Sequence, residues 1–456
     1  MKSVNPATEE VIASFEYTNL SSIEDRLEKG VLAGTHWAKV TLAEKSELLL
    51  SLAKELRSSQ DQLSKLMAKE MGKPLDEAKS EVQKCALACE YYAENSAKFL
   101  KNKVIDSDYD QSFVSYQPLG LILGIMPWNF PLWQVIRFSV PTLAAGNTVL
   151  LKHAENVQGC AEAIEKLFQQ AGFPEGVFQN IRPKIEDIEK IIADKRIQGI
   201  SLTGSTKAGR SVAKIAGENL KKVVLELGGS DPYVILADTP IKKTAETLIK
   251  ARFLNGGQSC ISAKRIIAEN SIADELVKEL KTLVENQKHG DPLDPSTTIG
   301  PLARRDLREN LNNQVVDSIK KGAKCLVGGE ASEAKGFFYP ATLLDHVKPG
   351  MPAFDQELFG PVAVVIRAKD QDEAIKLANQ TDFGLGSAIF TGQQNDLAKL
   401  GSSAINAGST FVNDFVKSDV KFPFGGVKNS GLGRELSSFG IHEFTNIKTV
   451  CIKNQV

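Results

Sequence analysis

The stretch from 119 to 153, LGLILGIMPWNFPLWQVIRFSVPTLAAGNTVLLKH, decides how the chain folds. Its opening LGLILGIM is a continuous apolar run, as expected of a strand buried on both faces. PLWQVIRFSVPTLAAG then reads as a helix ended by Gly146, and NTVLLKH is a second apolar strand. A strand, a helix and a strand in so short a span predict a parallel crossover unit.

The same alternation extends outward in both directions. VQGCAEAIEKLFQQAG reads as a helix, and GVFQNI, IQGISLTG and KKVVLELGG as strands, with helices near 185–193 and 207–218 between them. After Gly229 a second series begins with YVILAD, continues through helices near 241–254, 272–287 and 306–321, and closes with PVAVVIRA, SAIFTG and STFVND. Two such series predict an α/β protein with two doubly wound parallel sheets. Upstream, residues 21–100 carry leucines at three- and four-residue spacing and read as helices interrupted at Gly72–Pro74. SDYDQSFVSYQP (107–118) is polar and alternating, a solvent-facing strand or hairpin, and FTNIKTVCIK alternates like an edge strand.

Composition narrows the function. A chain of 456 residues exceeds one ordinary core, so two or three domains are expected. Lysine plus arginine (55) nearly balances aspartate plus glutamate (56), which gives no field for nucleic acid or an anionic membrane. The six cysteines are scattered, and Cys85 and Cys89 read as buried thiols one helical turn apart, with no metal site. The opening MKSVNPATEEVIASF is charged where a secretory leader needs an apolar run. No run approaches the ~18–20 apolar residues of a membrane span. A cytoplasmic location is expected.

Chemistry concentrates in three segments. In FLNGGQSCISAKR, Gly256 and Gly257 permit a tight loop before Cys260, which can present a nucleophilic thiol. Taken alone, such a cysteine is as well read as a small loop residue. In LELGGSDPYVIL, Glu226 ends a strand, where α/β proteins build their sites, or is a surface carboxylate at a junction. In MPWNFPLWQVIRF, Asn129 offers an amide near a helix N-terminus, either as an oxyanion donor or as a cap.

Together these segments resemble the aldehyde dehydrogenase superfamily, and in particular its bacterial succinate semialdehyde dehydrogenases. PWNFP, LLKHAE, LTGSTKAG, LELGG, NGGQSC, ELFGPV and PFGGVKNSGLGRE occur in the family's order, from NPATEE at residue 5 to the C-terminus. The resemblance implies that Cys260 attacks an aldehyde, that Asn129 and the Cys260 N–H hold the oxyanion, and that Glu226 is the general base. Relatives that pass the acyl group to coenzyme A lack this glutamate, so a free acid is the expected product.

No GxGxxG follows the first strand, and GSTKAG (204–209) opens a helix that can hold a pyrophosphate instead. The resemblance implies a cofactor set of Trp128, Lys152, Glu155, Gly204, Ser205, Leu227, Glu357 and Phe359. Ser205 and Trp128 approach the phosphates, Lys152 and Glu155 the adenine ribose, Glu357 the nicotinamide ribose, and Phe359 the ring. Because a carboxylate at 155 repels a 2′-phosphate, NAD is expected over NADP, with NADP the alternative. His153 stands where the family often has proline.

For the substrate, the resemblance points to Arg137 as anchor for a far carboxylate, with Ser418 as a second contact, or to Arg137 as a structural ion pair. A second arginine found in some members is replaced by Leu254, and a second cysteine by Ser262. The expected domains are 1–106 with 119–226 for NAD(P) and 227–428 for catalysis. Strands at 107–118 and 439–456 would join subunits into a homodimer or homotetramer. The alternatives are another semialdehyde, an aliphatic or amino aldehyde, a non-catalytic structural protein, or an esterase.

Overall fold

The computed structural model describes residues 1–331, 334–393 and 396–454. The two predicted sheets are present. The first has six strands in the order Gly431–Leu432, Lys222–Glu226, Ile197–Thr203, Leu121–Met126, Thr148–His153 and Phe178–Ile181. All neighbours are parallel except the short Gly431–Leu432 strand, which runs antiparallel to Lys222–Glu226. The second has seven strands in the order Lys324–Val327, Thr342–Asp345, Val362–Ala368, Arg265–Glu269, Pro232–Ile235, Gly386–Phe390 and Ser409–Val412. There only Lys324–Val327 is antiparallel to its neighbour.

Four strands of these two sheets were not expected, Arg265–Glu269, Lys324–Val327, Thr342–Asp345 and Gly431–Leu432, nor was the small antiparallel pair Lys2–Val4 and Val11–Ser14. Each is short, with too few residues to show alternation or a sustained apolar run. The N-terminal region forms the helices Leu20–Trp37, Leu42–Ser58, Gln60–Met71 and Leu75–Phe99. Thr41 and Glu44 form a capping box at the second, and Gly72 closes the third with φ 80°. Cys85 and Cys89 lie buried on the Leu75–Phe99 helix.

A separate antiparallel sheet joins Thr445–Ile452 to Gln111–Pro118 and Lys103–Val104. Residues Ser437–Glu443 are helical, so the terminal strand starts at Thr445 rather than 439. Residues 455 and 456 of that expected segment lie outside the described residues.

One buried cation ties the second sheet to the cysteine loop. Arg252, with no exposed surface, ends the Ile241–Phe253 helix just before that loop. Its guanidinium donates to Val362 O at 2.6 Å, Leu358 O at 3.0 Å, Ser262 Oγ at 3.0 Å and Gly257 O at 3.3 Å. Burial pulls its pKa down to about 9, so the group is still charged at neutral pH. Gly257, with φ 72°, lets the loop pass so close that a Cβ there would stand 2.2 Å from Gly360 O. Arg252→Met strands these acceptors without their donor. Urea unfolding should show a loss of roughly 3–5 kcal/mol, the scale for breaking a buried charged contact. A loss below about 1 kcal/mol, typical of a surface change, would contradict the role.

Candidate active site

Cys260 lies in a cavity of about 350 Å3 between the two sheets, with Trp128, Asn129, Gln134, Thr203, Gly204, Ser205, Leu227, Glu357 and Phe359 among its walls. The loop that presents the thiol approaches Gly229 closely: a Cβ there would stand 2.6 Å from Cys260 O. Burial raises the Cys260 thiol to about 12, and the charges of Lys264 and Arg137 only partly offset this. The resting group is therefore a neutral thiol that needs a base. Lys264 holds the loop from below, donating to Cys260 O at 2.8 Å and to Glu357 Oε1 at 2.9 Å.

Asn129 is only 4% exposed. Its Nδ2 donates to Gln258 O at 3.0 Å, and its Oδ1 accepts from Gln134 Nε2 at 3.0 Å. Those two bonds fix the amide and leave its second N–H free to donate. Among the described residues the Cys260 N–H has no acceptor, so two donors are available in the Cys260 cavity. Asn255 Nδ2 donates back to Asn129 O at 2.7 Å, which locks the cysteine and asparagine segments together. Asn129 does not cap the following helix. Glu81 does so, accepting from the N–H groups of Leu132 and Trp133 at 2.9 Å each. His153 is buried, its pKa pulled down to about 4 chiefly by burial, and contacts Pro131 O at 2.9 Å. It braces the asparagine loop from the strand end.

Glu226 is not a surface residue: it is 2% exposed, and neither carboxylate oxygen has a hydrogen-bond partner. Its Oε1 lies 2.8 Å from where a Cβ on Gly425 would stand, and its side chain is not among the walls around Cys260. Burial and the neighbouring Glu435 carboxyl push its pKa well above the usual range, and Arg137 and Arg434 oppose them. Glu435 is raised by burial as well. Two buried acids this close favour keeping a proton at neutral pH.

Arg137 is 3% exposed and forms an ion pair with Glu435 through Nε. Nη2 donates to Thr203 Oγ1 at 3.2 Å, and the guanidinium carbon lies 4.8 Å from the Phe424 ring centroid. Among the described residues no hydrogen bond engages Nη1. Ser418 Oγ is buried and also without a partner.

Six of the eight cofactor residues expected from sequence line the Cys260 cavity; Lys152 and Glu155 do not. Those two lie at the end of the Thr148–His153 strand and the start of the turn after it. Ser205 caps the Thr206–Glu218 helix, its hydroxyl accepting from Ala208 N–H at 3.2 Å. The N–H groups of Thr206 and Lys207 have no protein acceptor, an arrangement that fits a bound pyrophosphate. Trp128 and Phe359 meet edge to face at 5.8 Å, and Glu357 also accepts from Gly229 N–H at 3.2 Å. The residues present therefore fit a dinucleotide. Sequence reading missed Gln134, Asn255, Gln258, Lys264 and Glu435. Of these, Asn255, Gln258 and Lys264 stand inside the quoted cysteine segment, and Glu435 inside the last motif.

The model of the aldehyde dehydrogenase family matches residues 1–450. A succinate semialdehyde dehydrogenase [NAD(P)+] of Escherichia coli is 41% identical over 448 residues, covering 98% of this chain and 97% of that protein. A probable succinate-semialdehyde dehydrogenase [NADP(+)] of Synechocystis is 44% identical, covering 98% of this chain and 99% of that one. The crystal structure of succinic semialdehyde dehydrogenase from Streptococcus pyogenes with NADP+ superposes with a TM-score of 0.97 at 36% identity, covering 99% of this chain and 100% of that one. The chain therefore belongs to the aldehyde dehydrogenase family and is an NAD(P)-dependent oxidoreductase.

Proposed function

We propose that the chain oxidises succinate semialdehyde to succinate, with NAD as the preferred hydride acceptor. The observation that carries the substrate class is Arg137, a buried guanidinium whose charge reaches Cys260 and whose Nη1 has no partner. It suits a bidentate or single contact to a carboxylate at the far end of a short aldehyde. The unpartnered Ser418 hydroxyl supplies a second donor. The names of the relatives agree with this substrate. A second reading, an enzyme for uncharged aldehydes, is favoured by the ion pair in which Glu435 already occupies Arg137.

In the reaction, the Cys260 thiol gives up its proton to Glu226, directly or through water, as the sulfur bonds to the aldehyde carbon. The Asn129 amide and the Cys260 N–H receive the oxyanion, each donor contributing ~2.7–4 kcal/mol when preorganised. A bound nicotinamide dinucleotide supplies the acceptor for the hydride that leaves this carbon. Cys260 then carries a thioester. Glu226 passes that first proton to solvent, then takes a proton from the water that attacks the thioester; as the acid leaves, Glu226 returns this second proton to the sulfur and restores the thiol. For both steps Glu226 must turn from Gly425 toward Cys260, where water lowers its pKa. Trp128, Ser205 and the Thr206 and Lys207 amides would hold the pyrophosphate, Glu357 the nicotinamide ribose, and Lys152 with Glu155 the adenine ribose. The Thr445–Ile452 strand, exposed along most of its length, offers an unpaired edge to a second copy.

Arg137→Ala should raise KM for succinate semialdehyde at least tenfold, the effect of about 1.4 kcal/mol, and leave KM for butanal nearly unchanged. An equal effect on both aldehydes would return Arg137 to a structural role. For the cofactor, Glu155 should disfavour a 2′-phosphate, giving NAD a kcat/KM roughly tenfold above that of NADP. Equal or better turnover with NADP, the cofactor named for the Synechocystis relative, would overturn that preference.

A further inference from the structure

A second cavity, of about 600 Å3, is lined by residues next in sequence to walls of the reaction cleft and is not used by the mechanism above. Its walls include Phe130 and Trp133 from the asparagine segment and Leu254 from the start of the cysteine loop. The Cys260 cavity is lined from the same two segments, through Asn129, Gln134 and Cys260. A molecule with its aldehyde at Cys260 and a tail extending past Phe130 would therefore meet this space.

The Leu75–Phe99 helix closes one side and contributes charge. Of its acids, Glu81 pairs with Lys73 and accepts two helix N–H groups, Glu77 accepts from Asn255 N–H at 2.6 Å, and Asp76 lines the cavity, as Glu246 does from the facing helix. The Lys84 Nζ lies 4.1 Å from the Trp133 ring centroid, and among the described residues no carboxylate is within ion-pair distance of it. Burial pulls its pKa down to about 8, and the charge of Arg137 is the next cause. Glu81 and Asp419, which follows Ser418, oppose that fall. Lys84, Arg137 and the Ser418 loop thus converge on one region from three elements distant in sequence. The other lysine of the cavity, Lys250, is solvent-exposed on the opposite helix and rests near Phe415, so its charge is screened.

We propose that Lys84 is a second cationic contact for the far carboxylate of the substrate, acting beside Arg137 across the wall that Leu254 leaves apolar. The inference rests on the semialdehyde reading. A half-buried ammonium without a carboxylate is costly, and an anionic ligand relieves that cost. The cation–π contact with Trp133 positions Nζ while the cavity is empty of substrate. Arg137 is already shared with Glu435, whereas Lys84 has no ion-pair partner among the described residues and so adds discrimination that Arg137 cannot supply alone.

The test is steady-state kinetics of the full-length enzyme at saturating cofactor, with succinate semialdehyde and with butanal. Lys84→Met should raise KM for the semialdehyde about tenfold, with kcat changed less than about twofold and KM for butanal unaltered. Lys84→Arg should restore most of the loss, which a purely packing role would not allow. Should the methionine variant fail to fold, judged by circular dichroism and gel filtration, Lys84→Gln provides the same neutral comparison. Equal changes in KM for both aldehydes, or no change for either, would overturn the role of Lys84. Wild-type enzyme that prefers the semialdehyde while the variants keep that preference sinks this inference alone. Wild-type enzyme without such preference sinks the semialdehyde reading and this inference with it.

Discussion

Arg252 has no exposed surface and, among the described residues, no carboxylate at ion-pair distance, so its hydrogen bonds go to the carbonyls of Gly257, Leu358 and Val362 and the hydroxyl of Ser262. Those acceptors belong to the cysteine loop and to the segment bearing Glu357 and Phe359. The thiol and two of the residues proposed for the cofactor are thereby held at a fixed separation. Lys264 makes a second tie between the same segments, and Asn255 extends it to the asparagine loop. Preorganised donors act at full strength only if nothing around them must reorganise. The buried guanidinium meets that condition from behind the cysteine loop.

The electrostatics of the cleft oppose charge at rest. Burial keeps Cys260 as a thiol and Glu226 as an acid, although Arg137, Lys264 and Arg434 lie near enough to pull the other way. A site of this kind avoids a permanently reactive thiolate. It becomes reactive once water or ligand enters and one carboxyl turns outward. Glu435 matters because it shares Arg137 and repels charge on Glu226, coupling the proposed base to the proposed anchor. Substrate binding at Arg137 and proton removal at Glu226 are then not independent.

Much of this was legible along the chain. The runs at 121–126 and 148–153 are apolar on both faces, and the helix between them is bounded by Pro131 and Gly146, so the parallel crossover could be read directly. Cys260, Asn129 and Glu226 each stood at a glycine- or proline-marked junction beside a strand or helix end. What could not be read depends on pairings between distant segments. Nothing local marks Glu435 as the partner of Arg137, or Glu81 as the cap of the helix after Asn129. Lys84 looks like any lysine on an alanine-rich helix until packing sets it against Trp133. His153, which seemed unexplained in place of proline, proves to be a buried brace between a strand end and Pro131.

The account stands most directly on which aldehyde the intact enzyme prefers. Reduced-cofactor formation from succinate semialdehyde and from butanal, at matched concentrations with saturating NAD, separates the readings. A kcat/KM at least ~100-fold higher for the semialdehyde, equivalent to about 2.8 kcal/mol from a charged contact, is the result predicted. Comparable values for the two aldehydes would leave the Cys260 chemistry in place and contradict a cleft built around a substrate carboxylate.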